Sequence, residues 1–189
     1  MPTAGTRKVA AVLAVAALGL AACAEQDPTI GDEAGDRGEE VDGAPGDVAA
    51  DGELAALDEP IEILRTATCG CCEVYEDLLA EQQVAFDVEV LEIDQLQARK
   101  LELGVPTGAA SCHTSLVDGY VVEGHVPFAV IDWLLAERPD VDGVTLPGMP
   151  SGSPGMPGVQ TEPWEILALV DGEAGEPVVV YDHGELHEV

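Results

Sequence analysis

The sequence predicts an α/β domain with the element order βαβαββα, closed by a C-terminal β-hairpin, and three observations lead there. Apolar residues alternate at strand spacing and then recur at helical spacing, in turn, along residues 60–137. Three cysteines crowd the junction between the first strand and the first helix. An Asp118-Gly119 pair, a signal for a two-residue hairpin turn, separates the runs Ala109 to Val117 and Tyr120 to His125.

Ile61 and Ile63 alternate with polar neighbours before Thr66 and read as a short strand. Val74, Tyr75, Leu78 and Leu79 recur at helical spacing as far as Gln83, giving one apolar face on a helix that starts near Cys71. Val84, Phe86, Val88 and Val90 alternate as a second strand. Ile93, Leu96 and Leu103 mark a second helix, with Gly104 as its C-cap and Pro106 ending it. The hairpin then runs from Ala109 to Val117 and from Tyr120 to His125. A third helix follows, with Pro127 in its first turn, a buried stripe of Val130, Ile131, Leu134 and Leu135, and Pro139 as its stop. Beyond a loop rich in Gly and Pro, Trp164 to Val170 and Pro177 to Tyr181 form the closing hairpin. This order, with a CxxC at the first strand–helix junction, is the thioredoxin- or glutaredoxin-like pattern.

The residues ahead of that domain read as targeting and tether. Arg7 and Lys8 precede an uncharged run from Val9 to Leu20, too short to span a bilayer but suited to a signal-peptide core. It ends in Leu20-Ala21-Ala22-Cys23, which resembles a bacterial lipobox. Residues 1–22 are therefore expected to be a lipoprotein signal, with Cys23 lipidated and the protein exported and anchored to the outer face of the membrane. An ordinary secretory signal would leave Cys23 a spare thiol, and the protein still outside the cytoplasm. Residues 23–59 are mostly Asp, Glu, Gly and Ala; they cannot bury enough surface to offset ordering entropy and are expected to be a disordered acidic tether. Residues 60–189 have the length of one domain with one core.

The net charge is −30, and within the domain only Arg65, Arg99, Lys100 and Arg138 oppose the carboxylates. Nucleic acid and anionic lipid are poor partners for such a surface. The acidity suits a salt-rich medium that screens self-repulsion, and by itself it is no binding site.

Chemistry concentrates in Thr68-Cys69-Gly70-Cys71-Cys72, which places three thiols in four positions and embeds a CxxC. At a helix N-terminus the dipole and free N–H groups favour thiolates, as nucleophiles or as metal ligands. On a helical turn Cys69 and Cys72 share a face while Cys71 points about 100° away from Cys72. Sulfurs fanned in this way suit several ions bridged by thiolates, and soft sulfur favours Cu(I). Counting back from the Asp118-Gly119 turn puts His113 where glutaredoxin-like proteins carry a cis-proline facing the CxxC, so Cys112 lies beside the same helix. A two-residue hairpin also pairs Cys112 with His125, their Cβ atoms about 5 Å apart. His125 is thus a candidate ligand or supporting group, and His113, also a candidate, is expected on the opposite face unless a bulge intervenes. Met149 and Met156 flank the Pro- and Gly-rich loop as candidate outer thioether ligands, with simple packing as the alternative. His183 and His187 lie among acidic residues and are left out of the site.

Cys69-Gly70-Cys71-Cys72, Gly104-Val105-Pro106, Ser111-Cys112-His113-Thr114, the run Asp118 to Pro127 and the loop Pro147 to Met156, taken together and in this order, resemble the CopG-type copper-resistance family. This is the exported family, not the DNA-binding repressor of the same name. The resemblance spans about Glu62 to Tyr181 and excludes the tether and lipobox. It implies a thioredoxin-like fold that binds a multinuclear copper cluster through the CxCC cysteines and Cys112, with a role in periplasmic copper redox chemistry.

Three other readings compete with a copper site at Cys69, Cys71, Cys72 and Cys112. Two structural disulfides fit the spacing poorly, because Cys71–Cys72 would be a strained vicinal bridge and Cys69–Cys72 would leave Cys71 facing Cys112. A thiol-disulfide oxidoreductase would use Cys69-x-x-Cys72, but the extra Cys71 and the replacement of a cis-proline by His113 depart from that pattern. Zinc could fill a four-thiolate site, although paired C-x-x-C arms are missing. Within the copper reading both sequestration and Cu(I)/Cu(II) redox handling fit. Redox handling is favoured because bridging thiolates share an electron among several metals, with an electron or copper-delivery partner that the sequence does not name.

Overall fold

The computed structural model describes residue 54 and residues 57–189. The expected signal segment, the expected lipidation site Cys23 and most of the expected tether lie outside these residues. Leu54 is buried in the main core and its N–H donates to the Gln82 side chain; Leu57 packs against the same core.

The elements run in the order β1 (Ile61–Arg65), α1 (Gly70–Glu81), β2 (Phe86–Val90), α2 (Ile93–Glu102), β3 (Thr114–Val117), β4 (Tyr120–Glu123), α3 (Phe128–Glu137), β5 (Gly143–Thr145), β6 (Trp164–Val170), β7 (Glu173–Asp182) and β8 (Glu185–Glu188). They form a mixed α/β fold on one eight-stranded sheet of order β2-β1-β3-β4-β5-β6-β7-β8. β1 and β2 are parallel, β3 runs antiparallel to β1 and to β4, and this first half agrees with the βαβαββα pattern expected from the sequence.

Local chemistry sets the boundaries. Cys69 caps α1 with non-helical backbone, so the CxCC turn enters the helix at Gly70. The buried face of α1 is Cys72, Tyr75 and Leu79, with Leu78 partly covered; Val74, expected on that face, is 47 % exposed. α2 opens on a capping box between Glu92 and Gln95 and buries Leu96 and Lys100, while Ile93 faces solvent. α3 begins after Pro127 and buries Phe128, Val130, Ile131 and Leu134. Asp118 and Gly119 both have positive φ, and so do Asp171-Gly172 and His183-Gly184, as tight hairpin turns require.

The structure corrects several expected elements. The strand placed at 109–117 begins only at Thr114, because Thr107–Ala109 is a 3-10 turn and the Ser111 N–H bonds to the Glu123 carboxylate rather than to a strand. β7 starts at Glu173, not Pro177; Pro177 sits where the register against β6 is broken, as a residue without an N–H must. β5 and β8 add two strands. β5 joins the two halves, running parallel to β4 and antiparallel to β6.

Candidate metal centre

The end of β1, the start of α1 and the start of the β3–β4 hairpin meet at the cysteines. The Arg65 guanidinium donates to Glu76 at 2.5 and 3.2 Å and to the Thr66 carbonyl at 3.1 Å, and so ties the end of β1 to α1 across the CxCC turn. On the hairpin side Lys100 and Glu123 form an ion pair with both side chains buried. Lys100 also donates to the Ser111 carbonyl at 3.2 Å. Glu123 accepts from the Ser111 N–H at 2.6 Å and from the Thr114 hydroxyl at 2.6 Å. The backbone on both sides of Cys112 is therefore clamped from beneath.

The Sγ atoms of Cys69, Cys71, Cys72 and Cys112 all lie within 4.8 Å of one another. Cys69 and Cys72 are joined as a disulfide, whereas Cys71 and Cys112 are free thiols with their sulfurs 3.8 Å apart. Cys71 Sγ lies 3.6 Å from Cys69 Sγ. The turn thus gathers the sulfurs more closely than the helical fan suggests, because Cys69 precedes the helix and does not follow its period. In this oxidised form two of the four sulfurs become ligands only after reduction.

His125 Nε2 lies 2.8 Å from Cys112 Sγ, at the cross-strand position expected from the hairpin. Its Nδ1 is 2.6 Å from the Pro154 carbonyl, which only accepts, so Nδ1 carries the proton and Nε2 presents a lone pair to Cys112. His113 does not point away as expected. Its Nδ1 is 3.5 Å from Cys112 Sγ, and its ring packs 4.8 Å from His125 and 4.7 Å from Tyr75. The strand ladder ends at Thr114, so strict alternation does not govern His113.

Burial dominates the electrostatics here. It pushes the Cys112 thiol up to about 12, with the neighbouring Cys71 adding to the effect and Ser111 and Lys100 opposing it. Burial also lowers His113 well below the usual imidazole range, assisted by the neighbouring His125 and by the positive charges of Lys100 and Arg65. His125 is lowered by burial, against its bond to Pro154. A thiol that holds its proton this firmly is a poor nucleophile, but it becomes a ligand once a metal displaces the proton.

The loop 147–158 reaches the site through its backbone. Pro154 holds His125, Gly148 accepts from the Ser111 hydroxyl, and Gly155 has φ +82 with a Cβ position only 2.6 Å from the Cys71 carbonyl. Met149 is 54 % exposed and Met156 half-buried. A cavity of ≈ 290 Å³, lined among others by Thr66, Leu96, Lys100, Val105, Ser111 and Cys112, opens beside the hairpin cysteine. Lys100, Glu123 and Thr114 are parts of the site that the sequence reading missed; the signal available was the cross-strand pairing of Thr114 with Glu123.

Comparison with known proteins matches this geometry to a family. A family model described as a protein of unknown function, DUF411, matches residues 109–156, the stretch from the 3-10 turn to the loop over the cysteines. A solved structure named copper resistance protein CopG, form 1, is 36 % identical, covers 71 % of this chain and 100 % of its own, and superposes with a TM-score of 0.55. A second, named CopG form 2, is 41 % identical over 62 % of this chain and 96 % of its own, with a TM-score of 0.53. No curated protein matches the chain. With a relative of that identity matched over its whole length and the cysteine cluster in place, the chain belongs to the CopG-type copper-resistance family.

Proposed function

We propose that the chain is an exported copper-binding protein in which reduced Cys69, Cys71, Cys72 and Cys112 hold several Cu(I) ions through bridging thiolates. The observation that carries this reading is the mutual approach of the four sulfurs to within 4.8 Å, contributed by two separate elements. Soft thiolates select Cu(I), and four of them serve several ions only by bridging. Copper here is cargo, and both sequestration and Cu(I)/Cu(II) interconversion serve copper resistance. The account favours interconversion, because a thiolate-bridged group of ions shares an electron. Anchoring to the outer face of the membrane through Cys23 belongs to the same proposal and rests on the lipobox-like residues alone.

Cys112→Ser tests the site: copper bound per reduced chain falls, whereas an unchanged stoichiometry contradicts a four-thiolate site. Cys23→Ser tests the anchor: the chain leaves the membrane fraction, and retention there contradicts lipidation.

A second reading, thiol-disulfide exchange at Cys69-x-x-Cys72, is favoured by one observation, the Cys69–Cys72 disulfide. Against it stands the extra thiol of Cys71, 3.6 Å from Cys69. Reduction of insulin by the dithiol form at a rate typical of thioredoxins would establish this reading.

A further inference from the structure

We propose that the groove along α2 beside Cys112 is the docking place of a copper-exchanging partner protein, which seats one methionine side chain there and surrounds it with basic residues. The inference rests on the copper reading and adds to it the route by which Cu(I) arrives or leaves.

α2 turns one stripe at helical spacing, Ile93, Leu96, Gln97, Lys100 and Leu101, toward the cavity of ≈ 290 Å³ that Cys112 also lines. The middle of the stripe is packed, since Leu96 and Lys100 are buried. Its two ends are not: Ile93 is 55 % exposed and Leu101 60 %. One such side chain in water is ordinary, but two on the lining of a single cavity that opens on a metal-site cysteine mark an interaction face.

The lining selects the occupant. It holds no carboxylate, in a chain with 37 Asp and Glu residues, and its one charged group is the Lys100 ammonium. A free copper cation gains nothing from such a wall. The group that enters is therefore uncharged and apolar along its length, and to exchange copper at Cys112 it ends in a soft donor. Among side chains the unbranched thioether of methionine meets both conditions. An apolar cavity of about 150 Å³ already admits a benzene-sized guest, so there is room for it. Around the groove the surface is acidic: Glu92 and Asp94 flank Ile93, Glu102 follows Leu101, and all three are exposed, with Arg99 paired to Glu102. An apolar anchor inside a basic rim is the complement of this face.

The exchange moves no electron. The bond from Cu(I) to the partner's thioether breaks as a bond to Cys112 Sγ forms, and the thiol proton passes to solvent. Cys71 Sγ, 3.8 Å away, is placed to take hold of the same ion next. Donation to the partner runs the same steps in reverse.

The test uses the full chain carrying Cys23→Ser, reduced and anaerobic. The probe is the peptide acetyl-Lys-Ala-Met-Ala-Lys-amide, beside one counterpart with norleucine for methionine and another with glutamate for lysine. Added to the metal-free chain, the methionine and norleucine peptides should shift the methyl signals of Ile93, Leu96, Leu101 and Val105 saturably, and the glutamate peptide should bind roughly tenfold more weakly. Loaded with Cu(I), the methionine peptide should pass it to the chain roughly tenfold more slowly when the chain carries Ile93→Ser and Leu101→Ser. These are exposed positions whose change leaves the fold intact, and both chains should take the same amount of copper from the Cu(I) acetonitrile complex. Methyl shifts elsewhere or none, equal binding of the glutamate peptide, or a transfer rate indifferent to the double variant would overturn the proposal. The methyl measurement needs neither metal nor variant, so it decides the docking even where Cu(I) loading fails. A chain that takes no Cu(I) from the acetonitrile complex contradicts the copper reading instead.

Discussion

The two halves of the sheet solve burial in opposite ways. Around β6 and β7 the covered side chains are apolar: Ile166, Leu169 and Val179 are buried, and Trp164 stacks on Tyr181 with centroids 5.7 Å apart. Around β1, β3 and β4 the same sheet buries Lys100, His113, Thr114, Ser115, Glu123 and His125. Polar burial costs free energy unless each group is paired, and it brings no packing advantage over an apolar core. Among the described residues the buried Arg, Lys, His and Glu side chains, Arg65, Lys100, His113, Glu123 and His125, all lie at this end of the sheet, and that concentration marks the functional end.

That comparison breaks first at the ion pair. Glu123→Gln or Lys100→Met leaves one buried charge uncompensated and is expected to destabilise the chain by about 3–5 kcal/mol, read from denaturant midpoints. Ile166→Ala in the apolar half should cost about 2–5 kcal/mol by cavity formation alone, without altering copper stoichiometry. A Glu123→Gln effect below that of an exposed substitution would remove the case for a clamp beneath Cys112.

Gly155→Ala is the next smaller step. A Cβ there meets the Cys71 carbonyl at 2.6 Å on a backbone of φ +82, so a loss of about 1–3 kcal/mol is expected together with weaker Cu(I) binding. Stability lost with copper binding intact would show that the loop packs against the site without shaping it.

Acid should separate the halves more gently. His113 and His125 both titrate below their ordinary value of 6.5 when folded, so the unfolded chain binds more protons and stability rises with pH. The metal-free chain is expected to lose stability as pH falls below about 6.5, by up to about 1.4 kcal/mol per pH unit for each histidine, until the folded values are reached. His113→Phe should flatten that slope in thermal scans between pH 8 and 5; an unchanged slope would mean that the buried imidazole is not its source. Met149→Leu, at an exposed position, should move stability by no more than about 0.5 kcal/mol, and its copper affinity reports whether the thioether contributes.

How far the sequence was legible follows the same division. The βαβαββα half could be read because its strands alternate and its helices carry apolar stripes, and because Asp118-Gly119 fixed the register that brings His125 to Cys112. β5 is three residues long and β8, Glu-Leu-His-Glu, carries a single apolar residue, so neither offers a period to detect. Lys100 and Glu123 read individually as surface charges, since their partnership exists only once α2 lies against the hairpin. His113 was expected on the other face only if strand alternation continued to it, and the ladder begins one residue later, at Thr114. The convergence of four cysteines was legible; the Cys69–Cys72 bridge within it was weighed both as a structural disulfide that leaves Cys71 facing Cys112, which is where the structure puts it, and as the working pair of a thiol-exchange enzyme.

The most direct test of the account is copper per chain, by elemental analysis, in the full chain loaded anaerobically with Cu(I) as the dithiol and as the Cys69–Cys72 disulfide, with Zn(II) loaded in parallel. The account predicts more than one copper per reduced chain, a lower number with the disulfide formed, and loss of the excess on Cys71→Ser. A single zinc with no preference for Cu(I), or a copper content indifferent to the disulfide, would contradict a thiolate-bridged copper site.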